Sequence, residues 1–253
     1  MLLLPLQVSW YLSSTTPVVI GDIVRELVYY VATSIDGYIA APDGSFEVFP
    51  VEGDHMQVIL TEFADALPSH VLAALGIEPP RSRFDTVIQG WGSYSVAHSV
   101  GIERPYEHLR EFVATRTRTG ADPVVTYTLD ALATVQTLKE EEGLDIYLCG
   151  GGDLAGQLLP EIDRLILKRN PVVLGAGIPL FGGATFQPTA FRPITSRKFT
   201  SGVVIEEWER VRKPMAQRRS NAGGHHLRSA GIRKPPQPVL GRGVPQSLSR
   251  EAR

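Results

Sequence analysis

Between residues 24 and 212, apolar residues fall in short blocks separated by turn-forming residues. LVYYVAT at 27–33, FDTVIQ at 84–89, DIYLC at 145–149 and the run 162–167 are near-continuous apolar or β-branched stretches of strand length. That is the signature of strands buried on both faces. PVVTY at 123–127 predicts another strand, and Tyr38-Ile39-Ala40 is a short apolar stretch before the turn Pro42-Asp43-Gly44. The stretch 54–67 sets Met56, Ile59, Leu60 and Phe63 on one helical face, with Asp54 as its N-cap. Residues 71–76 read as a short helix stopped by Gly76 and by Pro79-Pro80, and 106–115 as a further helix. Residues 130–142 give a helix with Leu132, Val135 and Leu138 as its apolar stripe and Gly143 as its stop. Another helix covers 153–159, and 171–177 is irregular. Finally, 191–199 and 203–212 alternate as strands joined by Ser201-Gly202, which predicts an antiparallel hairpin. Strands alternating with helices up to residue 167 argue for an α/β fold: a mainly parallel sheet covered on both faces, with the hairpin added at its edge.

Charge separates the ends from this body. The net charge is -2, yet beyond residue 210 the chain has ten Lys and Arg against a single acid, Glu251. Residues 213–253 are expected to be a basic disordered tail, since they cannot bury enough apolar surface to offset ordering. With no aromatic residue for base stacking, the tail implies no specific nucleic-acid partner. Residues 1–23 have no Lys or Arg and are broken by Pro5 and Pro17. They fit neither a secretory signal nor a membrane span, and are expected to be a disordered or artefactual extension. The lone Cys149 excludes an internal disulfide and a Cys-based zinc cluster, and points to a reducing, cytoplasmic setting. His55, His70, His98 and His108 lack metal-ligand spacing, so no metal is expected.

Two turns carry candidate chemistry. Gly150-Gly151-Gly152 lies between a strand and a helix, where glycine lets backbone approach a ligand and the helix N-terminus offers N–H groups to an anion. Gly90-Trp91-Gly92-Ser93 repeats the arrangement after another buried strand. Alone, each also reads as an ordinary turn or cap. Open α/β sheets bind ligands outside the carboxyl ends of their strands, where both turns fall. Ser34-Ile35-Asp36-Gly37, read alone, is a hairpin turn.

Together, VYYVATSIDGYIAAPDGS, DTVIQGWGSYS, IYLCGGGDLAGQLL and DRLILKRNPVVLGAGIPLFGG resemble the dihydrofolate reductase-like family. The nearer resemblance is to the branch of the riboflavin-biosynthesis reductase C-terminal domain and its stand-alone relatives, over residues 24–211. It implies a mixed, mainly parallel sheet with helices on both faces, and NADPH extended across the strand ends, with NADH as the alternative. Carried over, the backbone at Val31 and Ala32 meets the nicotinamide amide, Ile39 lies on its ring, and the loop 34–37 closes over the reacting centre. Gly90, Trp91, Gly92 and Ser93, with Gly150, Gly151, Gly152, Asp153 and Leu154, hold the pyrophosphate and riboses. Thr126 and Tyr127 lie by the adenosine.

Two departures from the family bear on the phosphate that separates NADPH from NADH. Trp91 stands where relatives often have Arg, and Thr126-Tyr127 where they often have Ser-Arg at the end of the third strand. Arg116, Arg118, Lys168 or Arg169 are substitutes to consider; Trp91 and Tyr127 are also candidates to stack on adenine.

The function implied is an NADPH-dependent reductase of a small heterocyclic or carbonyl substrate. A 5-amino-6-(5-phosphoribosylamino)uracil reductase of riboflavin synthesis is one form, with Arg81, Arg83 and Arg104 as candidates for its ribose phosphate. The bifunctional riboflavin enzyme is excluded, because the deaminase zinc motif is missing. Folate-reducing relatives use a carboxylate at the start of the first long helix; here that region holds Glu47, Glu52, Asp54 and Glu62. Asp36 is the candidate catalytic acid and equally a candidate organiser of its loop. The alternative is a catalytically silent nucleotide-binding or sensor protein on the same fold. Relatives often pair as homodimers, and the hairpin edge is the candidate contact.

Overall fold

The computed structural model describes residues 25–118, 120–121 and 124–212. The expected N-terminal extension and basic tail lie outside the described residues. In chain order the elements are strands β1 (Leu27–Thr33) and β2 (Tyr38–Ala40), helix α1 (Met56–Glu62), a 3-10 turn (Ala64–Ala66) and helix α2 (Ser69–Leu75). Next come β3 (Phe84–Gly90), α3 (Trp91–Ser99), β4 (Arg110–Ala114), β5 (Gly120–Ala121), β6 (Thr126–Thr128), α4 (Ala131–Lys139), β7 (Asp145–Cys149) and α5 (Gly152–Leu158). The chain closes with β8 (Ile162–Arg169), β9 (Ile178–Pro179), β10 (Phe191–Lys198) and β11 (Val204–Arg210).

Among the described residues, nine strands form one sheet in the order β10-β11-β8-β1-β7-β3-β4-β6-β5. From β8 to β6 all pairs are parallel, while β5 and the β10–β11 hairpin run antiparallel at the edges. This is the mixed, mainly parallel architecture with a C-terminal hairpin that the alternation of elements predicts. The strands are apolar on both sides because both faces are covered. Leu27 and Tyr29 of β1 point into a core shared with Val135 and Leu138 of α4 and Leu154, Ala155 and Leu158 of α5. Val28 and Tyr30 point the other way, against Ile59 of α1, Phe63 and Tyr106.

Several local readings change. The helix expected at 106–115 is a turn followed by β4, inserted in parallel between β3 and β6. Its burial alternates, with Glu111 and Val113 buried and Phe112 half-buried between them, so the governing period is two. Asp54 does not cap α1, which starts at Met56. Its carboxylate instead accepts from Thr200 N (2.7 Å), Thr200 Oγ1 (2.8 Å) and Ser201 N (3.1 Å), tying this loop to the hairpin turn. Leu132 is exposed, and Ala131 takes its place in the core beside Val135 and Leu138. Gly76 ends α2 in the left-handed conformation, with φ 65°, as its sequence position predicts.

Candidate active site

Strands β3 and β7 are neighbours, paired as far as Gln89 and Cys149, so the two glycine turns that follow them lie side by side. A Cβ on Gly150 would stand 3.8 Å from Gly90 N. Gly90 and Gly151 are the N-caps of α3 and α5, both extended, and neither helix has a side-chain cap. Two helix starts without side-chain caps therefore lie side by side, a setting that favours an anion such as a diphosphate. Nothing lies within 4 Å of a Cβ built on Gly151 or Gly92, so the backbone there is open to a ligand.

Gly152 has another role. A side chain on it would run into the carbonyl oxygen of Pro179, and Gly152 O accepts from Gly182 N at 2.9 Å. Gly156, one turn on, meets Gly182 in the same way. The last glycine of the triplet thus lets α5 pack on the segment after β9. Leu154 is buried beneath Gly90 and Gly150 as the floor of the turns, and Asp153 is exposed in the first turn of α5, beside Gly182. Ser93 is the third residue of α3.

Beside these turns is the end of β1. Its register with β7 stops at Tyr29, whereas its register with β8 continues to Thr33. Thr33 O accepts from Asn170 N at 2.8 Å on the β8 side. Strand alternation then turns the amide and carbonyl of Ala32 towards β7, past that strand's last residue. A donor–acceptor pair so placed matches a primary carboxamide. Val31 faces β8 instead, opposite Leu167, so its backbone belongs to the ladder and of the two expected residues Ala32 faces the gap.

Ile39 is half-buried on β2, which pairs with β9. The loop 34–37 is fastened from below. Ser34 N donates to Tyr38 O (2.8 Å), Ile35 N to Val172 O (2.8 Å) and Leu180 N to Gly37 O (2.9 Å). The Asp36 carboxylate accepts from Ser34 Oγ (2.6 Å), Leu174 N (3.1 Å) and Gly175 N (2.8 Å). The Ser34 hydroxyl first, and then these two amides, hold its carboxyl at about 2 against the opposing effect of desolvation. Its hydrogen bonds join the loop 34–37 to the segment at Leu174 and Gly175.

At the other end of the cleft, Trp91 opens α3 and packs on Tyr94, with ring centroids 5.6 Å apart. Tyr127 of β6 meets the edge of Tyr94 at 6.4 Å, and Thr126 is exposed beside it. The Arg118 guanidinium lies 4.1 Å from the Trp91 ring centroid and 5.8 Å from that of Tyr127. The third strand of the sheet in chain order is β4, so Thr115-Arg116 follows its end, while Thr126-Tyr127 lies one strand further out. Lys168 and Arg169 are on β8, far across the sheet, and cannot serve this end.

The carboxylates near the first helix are otherwise engaged. Asp54 is held by the hairpin turn, Glu62 ends α1 on Arg197 (2.6 Å), and Glu47 and Glu52 are exposed. Arg81 and Arg83 precede β3, at the opposite end of the sheet from Gly90, and Arg83 pairs with Glu207 at 2.7 Å. Arg104 Nε is 3.6 Å from Glu111. The buried groups at the acceptor side are instead His55, just before α1, and Lys168 of β8, which donates to Pro50 O at 3.0 Å. No local signal marks them, since they are distant in the chain and meet only in the fold.

Known proteins share this sequence and fold. The profile of the RibD C-terminal domain family matches residues 25–205. The uncharacterized protein YwjB of Bacillus subtilis (strain 168) is 33% identical over 188 residues, covering 72% of this chain and 96% of its own length. The uncharacterized protein YyaP of the same organism is 28% identical over 188 residues, covering 71% of this chain and 92% of its own. Among solved structures, a putative riboflavin biosynthesis protein from Shewanella sp. PV-4 superposes with a TM-score of 0.52 at 22% identity. That match covers 74% of this chain and 99% of the other. The Thermotoga maritima diaminohydroxyphosphoribosylaminopyrimidine deaminase/5-amino-6-(5-phosphoribosylamino)uracil reductase gives 0.52 at 15% identity, over 74% of this chain and 57% of that one. With the family profile matched over residues 25–205, the chain belongs to the RibD C-terminal domain family.

Proposed function

We propose that the chain is an NADPH-dependent reductase of a small carbonyl or heterocyclic acceptor. The observation that carries this reading is the meeting of two uncapped glycine turns with the unpaired edge of β1 at Ala32. In it, Gly90, Trp91, Gly92 and Ser93 with Gly150 and Gly151 hold the pyrophosphate, and Ala32 pairs with the carboxamide. Gly152, Asp153 and Leu154 set the position of α5 beneath them. Ile39 covers the nicotinamide, and Arg118 on Trp91 and Tyr127, with Arg116 nearby, takes the phosphorylated adenosine end. The bound cofactor supplies the hydride. Asp36 acts as a positioning residue that holds the loop 34–37 closed.

Calorimetric titration of the full chain with NADPH and then NADH tests this. Binding of NADPH more tightly than NADH is expected; binding of neither overturns it. A role as a 5-amino-6-(5-phosphoribosylamino)uracil reductase requires cations for a ribose phosphate. With Arg81 and Arg83 at the far end of the sheet, an acceptor without that phosphate is favoured. Turnover of the phosphorylated compound would reverse this choice.

One observation favours the second reading, a silent nucleotide-binding protein: the first turn of α1 holds no acid, and Asp54 just before it is engaged by Thr200 and Ser201. Stereospecific deuterium transfer from 4-deuterated NADPH to any acceptor separates the two. For a homodimer, the edge strand β10 offers Ile194 among Arg192, Pro193 and Lys198. Such an edge resists strand-to-strand pairing, so a dimer would use the face of the hairpin, and sedimentation tests it. A reducing, cytoplasmic setting suits the free Cys149.

A further inference from the structure

We propose that Lys168 is the group that meets the hydride acceptor, as a cation, and that the acceptor is therefore oxygen-centred: a carbonyl, or a double bond conjugated to one. The proposal rests on the reductase reading above and names the substrate class of that same site.

Ala32 and Lys168 are register partners in β1 and β8, so their side chains stand on one face of the sheet, about 5 Å apart. The other face is closed at this point. The Tyr29 hydroxyl donates to Leu180 O at 3.2 Å, and the Tyr29 ring meets Phe181 at 5.7 Å. An acceptor beside a nicotinamide held at Ala32 must then lie on the face of Lys168, under the loop that carries Pro50 and under α1.

Lys168 is 7% exposed, and its three N–H donors have one acceptor among the described residues, Pro50 O. No carboxylate lies within ion-pair distance of it among the described residues. Beside it stands His55, wholly buried, with Nδ1 on Ser201 Oγ at 3.0 Å. The His55 Nε2 makes no well-formed hydrogen bond, although it lies near the same Pro50 carbonyl. Burial lowers the pKa of both groups, and the Lys168 charge lowers that of His55 further. The only carboxylate of α1 is Glu62, at its far end on Arg197. Asp54, the acid whose charge reaches His55, is held by Thr200 and Ser201.

A buried cation with unused donors is costly unless an anion or a strong acceptor completes it. A carbonyl oxygen that gathers negative charge during reduction does so. With the bound nicotinamide cofactor supplying a hydride to the carbonyl carbon, the C=O π pair would move to oxygen. Lys168 Nζ gives that oxygen a proton and recovers one from water, leaving an alcohol and oxidised cofactor. A protonated imine would bring a second positive charge to the same place and be repelled.

The test uses benzoate and benzamidinium, probes of one shape and opposite charge, titrated calorimetrically into the full chain saturated with NADP+. Benzoate is expected to bind at least about tenfold more tightly than benzamidinium. Lys168→Met is expected to lose about tenfold or more in benzoate affinity, and Lys168→Arg to keep most of it. The wild-type comparison stands even if a variant does not fold. Tighter binding of benzamidinium, equal binding of both probes, binding of neither, or unchanged benzoate affinity in folded Lys168→Met each overturns the proposal and leaves the reductase reading intact. Failure to saturate with NADP+ overturns that reading, and this proposal with it.

Discussion

The Arg118 guanidinium lies over the Trp91 indole, 4.1 Å from its centroid. Trp91 is the first residue of α3 and follows the extended N-cap Gly90, so a cation borne by the loop after β4 is held beside a helix N-terminus. No carboxylate meets that guanidinium among the described residues. A planar cation resting on an aromatic face keeps its N–H edge available for a phosphate.

Arg118→Ala is therefore expected to weaken NADPH by roughly tenfold to a hundredfold, the worth of a charge-assisted phosphate contact, and NADH by less than about threefold. Calorimetry on both cofactors reads the ratio. An equal loss on both would assign Arg118 to the adenine ring instead of the phosphate.

Gly151 and Gly152 are adjacent, and opposite outcomes are expected from the same substitution. A methyl group on Gly152 collides with the Pro179 carbonyl oxygen, which is backbone and cannot swing aside. Gly152→Ala should cost about 1–3 kcal/mol of folding stability, as overpacking does, read by chemical denaturation. A methyl group on Gly151 meets nothing within 4 Å, and its φ of -65° suits any residue. Gly151→Ala should leave stability nearly unchanged while weakening NADPH. A stable Gly151→Ala protein with undiminished NADPH affinity would place the pyrophosphate elsewhere.

These sites divide by how far apart in the chain their partners lie. LVYYVAT and DIYLC match β1 and β7 residue for residue, because a strand buried on both faces carries its own signature. The glycine turns are equally local. β4 is not, since five residues with a buried Glu111 do not separate a period of two from one of 3.6. Asp54 bonds to Thr200 and Ser201, 146 and 147 residues away, so its local position as a helix cap was misleading. The pairing of Ala32 with Lys168, and the choice of Ala32 over Val31, follow only once β8 is known to lie beside β1.

Asp36 joins the loop 34–37 to the segment that follows β8. Its carboxyl falls from 3.8 to about 2 on folding, chiefly through the Ser34 hydroxyl and then the amides of Gly175 and Leu174. A depressed carboxyl contributes stability that is present above its unfolded pKa and disappears as pH falls through its folded pKa. The thermal midpoints of wild type and Asp36→Asn should differ above about pH 4 and converge towards about pH 2. If Asp36 were the proton donor, Asp36→Asn would instead lose turnover with no change in melting at any pH.

Glu111 has the opposite sign. Its side chain is wholly buried, with Oε1 accepting from Tyr106 N (3.2 Å), Oε2 from Gln89 Nε2 (3.3 Å), and Arg104 Nε 3.6 Å away. Burial lifts its carboxyl from 4.5 to about 7 against the lowering effect of the Tyr106 amide and Arg104. A raised carboxyl favours the folded state below its unfolded pKa, and that contribution is lost as pH rises through the folded pKa. Wild-type stability should therefore decline between about pH 4.5 and pH 7 from this group alone. Glu111→Gln keeps the acceptor for Tyr106 and carries no charge to bury. It should be more stable than wild type above about pH 7, by on the order of 1–3 kcal/mol, with the gain shrinking on acidification. Urea denaturation of both proteins across that range measures the difference. A Glu111→Gln protein less stable at high pH would mean that the ion pair with Arg104 outweighs desolvation, and that the ionised form is the one the fold is built around.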